Sequence, residues 1–500
     1  MQPVYLAALR SWSIPPAATF ALVLTVLVYL RGWWLLRRAG SPAIPVWRAV
    51  SFVGGLLTLF IALASPMDVF NSFLVTAHMV QHMLLMMVAP PLILLGSPLI
   101  PLVRGLPAFA AREFAGPFLN WPLAGRIGLT LTHPVCALIL MGAVMFAWHT
   151  PALYELALRS SAWHQTEHAC FFLTSLVFWW PVIQPWPSRA QWPRWAMVPY
   201  LVIADLQNTI LSAILVFSDR VLYPSYSRAP RLFGLSAMED QAAAGSIMWV
   251  LGSVAFLIPA VIIAVQCLSK KSAAQDVAPT RKRDVSTPEA SLLTSERTPS
   301  IAREAPSERR GRRREAAVSL TFFVVSGLCF AGLLDLGARD DDDQALLFQG
   351  TSGPFAVTVF GPPDEIEAGT ISLDVLVQDR TSGSVVLDAP PVELAARPAN
   401  VDGPSLAAIQ ATHEEPNNKL LQQFEITIQD AGDFNLLIDV GAEGGTAFSM
   451  PIRMVKPDRH VAFHWGSAGL LVLAALLLIA YLHRHRAPSR VQLENQVSRP

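Results

Sequence analysis

Charge is scarce in this chain. Only 15% of its 500 residues are Asp, Glu, Lys or Arg, and 53% are hydrophobic; a soluble domain carries roughly a quarter charged residues. The deficit argues against an ordinary soluble protein and points to surface that faces lipid. Cysteine is scarce too. Cys136, Cys170, Cys267 and Cys329 each sit inside an apolar run, which argues against a disulfide framework. No nucleophile elbow, phosphate loop, CxxC pair or HExxH motif occurs, so those chemistries have no footing and no enzymatic activity is expected. A small-residue cleavage site is missing after the first apolar run, which starts near Ala17. That run therefore reads as an uncleaved span rather than a secretory leader.

Long apolar runs are plentiful. A bilayer core needs about 20 mostly apolar residues per helix, and nine runs qualify: 17–36, 49–65, 73–95, 129–148, 168–184, 196–217, 242–268, 316–337 and 463–482. Helices are the reading that satisfies their backbone groups in lipid. Basic residues gather in alternate loops: Arg31, Arg37, Arg38 and Arg48; Arg104, Arg112 and Arg126; Arg189 and Arg194; the segment 269–315; and the tail after Leu482. Because cytoplasmic loops are rich in Lys and Arg, this pattern predicts an N-terminus outside a bacterial plasma membrane and a cytoplasmic C-terminus.

The expected organisation is a seven-helix membrane domain over 1–268, a disordered basic linker over 269–315, a span at 316–337, an outer domain over 338–459, a span at 460–482 and a tail at 483–500. The linker is rich in Ser, Pro, Ala, Arg and Glu and ends in Arg309, Arg310, Arg312, Arg313 and Arg314. It is too polar to fold, and its basic end suits anionic membrane lipid rather than nucleic acid. In the outer domain, short alternating stretches at 355–360, 370–378, 384–387, 424–429, 434–440 and 447–454 are separated by Pro, Gly, Asn and Asp. Their spacing predicts a small β-sandwich. The fold class expected is therefore a multi-pass α-helical membrane protein with a β-sandwich outside the membrane.

Ionisable residues inside spans are costly and mark function. His78 and His82 stand four apart in the third run, sharing a helix face, as do His164 and His168 at the start of the fifth. His149 follows Trp148 at the end of the fourth run, Glu167 precedes His168, and Glu239 and Asp240 open the seventh. The predicted topology brings all of these to the outer side. His133 falls on the inner side. Imidazole pairs on neighbouring helices suit a transition metal, and Met79 and Met83 add soft thioethers for Cu(I). Glu167 or Asp240 could orient an imidazole from behind. Asp205, with Gln207 and Asn208 near mid-membrane in the sixth run, reads equally as a helix-bridging network or an ion path. The bland alternatives are interfacial packing of His beside Trp and polar contacts between helices. In the outer domain, His413, Met450 and Met454 offer a weaker copper set.

Ala77-His78-Met79-Val80-Gln81-His82-Met83, followed by Ala89-Pro90-Pro91-Leu92 and Gly96, resembles the CtaG family of seven-helix assembly factors for caa3-type cytochrome c oxidase. Trp148-His149 with Pro151 and Tyr154, then His164 and Glu167-His168, and then Asp240-Gln241 with Gly245 and Met248-Trp249 follow in the family's order. The resemblance covers roughly residues 17–268; the outer domain is more loosely similar to YtkA-like or CopC-like export domains. It implies a role in maturing the oxidase by delivering or inserting copper, with oxidase subunits as partners; a copper-handling role at the outer face would in turn have the outer domain either receive copper from an exported carrier or dock on an oxidase subunit. Rival readings are a haem-binding membrane oxidoreductase, a copper or proton transporter, and a scaffold without metal.

Overall fold

The computed structural model describes residues 2–13, 16–40, 44–107, 122–188, 190–276, 345–362, 366–389, 392–399, 409–412, 418–441 and 447–455. The expected spans at 316–337 and 463–482, the tail, the linker beyond residue 276, Cys329 and His413 lie outside the described residues.

Seven long helices occupy the seven positions expected before residue 277. They are α1 (Pro16–Arg38), α2 (Val46–Ala64), α3 (Val75–Leu95), α4 (Pro134–Trp148), α5 (Ser161–Ile183), α6 (Met197–Phe217) and α7 (Ala237–Asp276). Among the described residues, α1, α2, α3, α6 and α7 lie in five helices long and apolar enough to cross a membrane. The fourth position is bent: α4 turns by 70° into a short helix, Pro151–Arg159. Pro151 forces that turn by disfavouring helical geometry at Thr150. The 23 residues of α5 have the length to span, about 34 Å at helical rise. His164, Gln165, Glu167 and His168 in its first turns lower its hydropathy. α7 runs eight residues beyond the expected boundary at 268.

α3 is three pieces: α-helix Val75–Met83, a π turn Leu84–Val88 and α-helix Ala89–Leu95. The prolines explain the break. The Met86 carbonyl would receive the amide of residue 90 in an α-helix or of residue 91 in a π-helix, and both are Pro, which has no N–H. The indole Nε1 of Trp179 on α5 donates to that carbonyl instead, at 3.0 Å.

The polar residues of α6 tie helices together. Asp205 on α6 accepts from Ser253 Oγ at 2.7 Å, and Asn208 Nδ2 donates to the Met248 carbonyl at 3.2 Å. A methyl group at Gly252 would lie 2.4 Å from Asn208 Nδ2, so glycine lets α6 and α7 approach there.

The separate C-terminal region is two antiparallel-dominated sheets, ordered β1-β2-β4-β7 and β3-β9-β8-β5-β6. The strands are β1 Ala345–Ser352, β2 Phe355–Gly361, β3 Ile366–Glu367, β4 Gly369–Asp379, β5 Glu393–Pro398, β6 Ile409–Gln410, β7 Gln422–Ile428, β8 Gly432–Asp439 and β9 Phe448–Val455. Val359, Leu373, Val375, Leu394, Phe424, Ile426, Leu436 and Ile438 fill the space between the sheets. Met450 and Met454 are buried in this core, where they serve packing. The stretch expected as a strand at 384–387 makes a single bridge, Val385 to Gln378. β1 and β5 were not among the expected strands.

The sandwich rests on one end of the bundle. Phe360 and Leu376, on the outward face of the first sheet, pack with Leu420, Leu421, Ala8, Phe70 and Leu232. Phe73, two residues before α3, meets Phe360 edge-on at 5.3 Å. Both faces of β2 and β4 are therefore covered, which is why β4 is buried at nearly every position along Ile371–Gln378.

Candidate metal centre

All five expected histidines and Glu167 converge at the same end of the bundle, between α3, the end of α4 and the start of α5. His78 and His82 face the core on consecutive turns, with Nε2 atoms 2.8 Å apart. Glu167 reaches between them: Oε2 lies 3.5 Å from His78 Nε2, and Oε1 lies 3.9 Å from His82 Nε2. The His168 ring centre is 5.5 Å from that of His82, and the His164 ring centre is 5.2 Å from that of His78. His149 closes the lower side, 6.2 Å from His82. His78, His82, Glu167 and His168 are 0–2% exposed, while His164 is half-buried at the rim.

Two overlapping ligand sets arise. The donor atoms of His78, His82 and His168 lie within 4.8 Å of one another, and so do those of His78, His164 and Glu167. Metal–imidazole bonds are about 2.0 Å, so two donors on one ion stand roughly 3–4 Å apart. The donor chemistry also fits a cation. His82 Nδ1, His149 Nε2, His164 Nε2, His168 Nε2 and both Glu167 oxygens are buried without a hydrogen-bond partner. Buried polar groups left in that state are expensive, and a cation bound among them would supply what they lack.

Neighbouring groups fix how two of the imidazoles are presented. The carbonyl of Met145 can only accept, so His149 Nδ1, 2.7 Å away, carries the proton. Its Nε2 then holds a lone pair. Tyr226 donates its phenol proton to the Asn71 carbonyl at 2.6 Å, leaving its oxygen to accept from His78 Nδ1 at 3.4 Å. His78 Nε2 is thereby left as an acceptor facing His82 and Glu167. Such outer partners are the usual means of orienting metal-binding imidazoles.

Asp240 acts on the helix rather than on a ring. Its carboxylate accepts from the Val75 and Thr76 amides at 2.6 and 3.1 Å, satisfying orphan donors at the start of α3. It thus anchors the helix that bears His78 and His82. Gln81 pins the same segment from another side, donating to the Ala62 carbonyl and to Asp68. Met79 and Met83 are buried in the bundle core. Each stands about 100° around the helix from the histidine before it. Asp205 engages Ser253. His133 makes its ring contact with Trp192, away from the cluster.

Sequence reasoning missed the tyrosines. Tyr223 donates to the His149 carbonyl at 3.2 Å, Tyr154 stacks on Tyr223 at 3.8 Å, and Tyr226 touches His78. Tyr154 is one of the marks of the resemblance and carries no ligand signal of its own. Tyr223 and Tyr226, three apart in a short loop, resemble an interfacial aromatic belt, and nothing local distinguishes them from one.

Residues 27–270 match a family model described as cytochrome c oxidase caa3 assembly factor (Caa3_CtaG). An uncharacterized protein of Mycobacterium leprae is 28% identical over 225 residues, 44% of this chain and 34% of the relative. Uncharacterized proteins of Mycobacterium bovis and Mycobacterium tuberculosis are each 26% identical over 277 residues, 53% of this chain and 40% of the relative. The matches thus cover less than half the length of these curated relatives. No solved structure matches the chain. Through residues 27–270, which contain α2 to α6, most of α1 and α7, and every histidine of the cluster, the chain belongs to the cytochrome c oxidase caa3 assembly factor family.

Proposed function

We propose that this chain assists assembly of a caa3-type oxidase by holding copper as cargo in the His78–His82–His168 set, with His164 and Glu167 as the adjoining set. The observation that carries this reading is the pair of ligand groups, each within 4.8 Å, sharing the buried His78. Imidazole and carboxylate donors suit copper and zinc. Met79 and Met83 are soft donors only if the helix rotates, so they are dispensable in this reading. His149, whose Nε2 is buried without a hydrogen-bond partner, is the fifth imidazole. The working end is outside the plasma membrane: Arg31, Arg48 and Arg194 gather at the opposite end, where they bind Gly105, Ser97 and Val182, as cytoplasmic basic residues do. Oxidase subunits are the recipients and an exported copper carrier is the donor. The bonds of Asp205 and Asn208 across α6 and α7 favour a holding role over a transmembrane path.

The test is metal content of detergent-purified protein loaded with Cu(I), for wild type and His78→Ala/His82→Ala. About one copper per chain in wild type, lost in the double variant, is expected for a shared site. In cells the double variant lowers oxidase activity at an unchanged level of this protein. Equal copper in both proteins, or normal oxidase with the variant, overturns the reading.

A further inference from the structure

One loop faces both the histidines and the sandwich. Residues 218–236 connect α6 to α7. On the bundle side, Leu222 N donates to Gln241 Oε1 at 2.7 Å, and Ser225 donates to Glu155 through its amide and its hydroxyl at 2.9 and 2.6 Å. Tyr223 holds the His149 carbonyl, and Tyr226 bridges the Asn71 carbonyl and His78. On the sandwich side, the Arg228 carbonyl accepts from Gln349 Nε2 at 3.3 Å and the Arg231 carbonyl accepts from Gln378 Nε2 at 3.0 Å. Leu232, 1% exposed, sits in the apolar patch with Phe360, Leu376, Leu420 and Leu421. Phe233 stacks on Tyr5 at 5.3 Å.

The same patch reaches the entrance of α3. Phe70 and Ala77 belong to it, and Ala77 is the residue before His78. The sandwich therefore sits over the end of the bundle where His78 and His82 lie buried, and it grips the segment that contacts them. A patch of this kind, a few apolar side chains with hydrogen bonds at its edge, is of the class that domains make and break as they move.

We propose that the sandwich is a cap on the histidine site. Docked, it holds the 218–236 loop down and shuts His78 and His82 away; released, it frees the loop and opens the site to incoming or departing cargo. The proposal rests on the cluster being the working site, but its test does not require that copper bind. His133, whose ring meets Trp192, lies at the opposite end and serves as the reference.

A reversible lock separates the states. The Lys419 amide donates to Ser11 Oγ at 2.9 Å, so covalent lengths place their Cα atoms no more than about 7 Å apart, near disulfide reach. Ser11→Cys with Lys419→Cys, in the full chain in detergent, is oxidised and its bridge verified by peptide mapping. Each form is treated with diethyl pyrocarbonate, a small reagent for neutral imidazole, and labelling is read residue by residue. The oxidised form is expected to label His78 and His82 at least tenfold more slowly than the same protein after reduction, with His133 unchanged between the two. Equal labelling of His78 and His82 in the locked and reduced forms overturns the cap. Copper loading of the reduced form is read separately: failure to bind copper counts against the cargo reading, while the labelling ratio still decides the cap.

Discussion

A buried imidazole presents its lone pair from a fixed nitrogen when its other nitrogen donates its N–H to a partner. For His78 that partner is Tyr226, and for His149 it is the Met145 carbonyl. Tyr226→Phe removes one partner and little volume. It is expected to weaken copper binding by about tenfold or more, in line with other outer-partner losses, measured by competition with a Cu(I) chelator; unchanged affinity would remove Tyr226 from the site. Asp240→Ala acts differently, through the start of α3. Losing two charge-assisted hydrogen bonds is expected to cost about 1–3 kcal/mol, seen as a lower unfolding temperature in detergent; an unchanged temperature would mean that other donors and acceptors serve the start of α3. The histidine pairs were legible in the sequence because four-residue spacing alone puts two rings on one helix face. Tyr226 and Asp240 were not legible in these roles. Their partners lie 148 and 165 residues away, and only the closed bundle joins them.

At the scale of elements, the seven helical positions before residue 277 follow from apolar runs, since lipid leaves the backbone no other choice. The run Leu84–Leu95 did not announce its π turn, because hydropathy does not register which carbonyls lose their donors to Pro90 and Pro91. Trp179→Phe tests that account. It keeps an aromatic ring but leaves the Met86 carbonyl unpaired, and is expected to destabilise the bundle by about 1–3 kcal/mol in thermal unfolding. An unfolding temperature equal to wild type would mean that another donor serves that carbonyl. In the sandwich, β7, β8 and β9 were readable from strict alternation, with burial switching at every residue of Gln422–Ile428. β4 carries Val375, Leu376 and Val377 in a row because its second face meets the bundle. β5, Glu393–Pro398, carries Ala395, Ala396 and Arg397, a composition that does not favour strands. It forms by pairing with β8.

The whole molecule places a soluble fold on a membrane bundle through Phe360, Leu376 and Leu420 meeting Phe70 and Leu232. Leu376→Asp tests that placement directly. Its side chain points out of the sandwich core, so the domain should fold while its dock fails. The yield of the Ser11→Cys/Lys419→Cys bridge is then expected to fall severalfold. An undiminished yield would show that the patch does not hold the domain. The loop from Ser218 to Ser236 has a thermodynamic consequence as well. It belongs to two equilibria at once, so neither can be tuned alone. If docking changes the affinity of the histidines for their cargo by tenfold, then cargo changes the docking constant by the same tenfold, about 1.4 kcal/mol. A loaded and an unloaded chain would then show different faces of the sandwich to whatever approaches it, and the fill state of a site buried in the bundle would be readable on the surface of a domain that never touches the cargo.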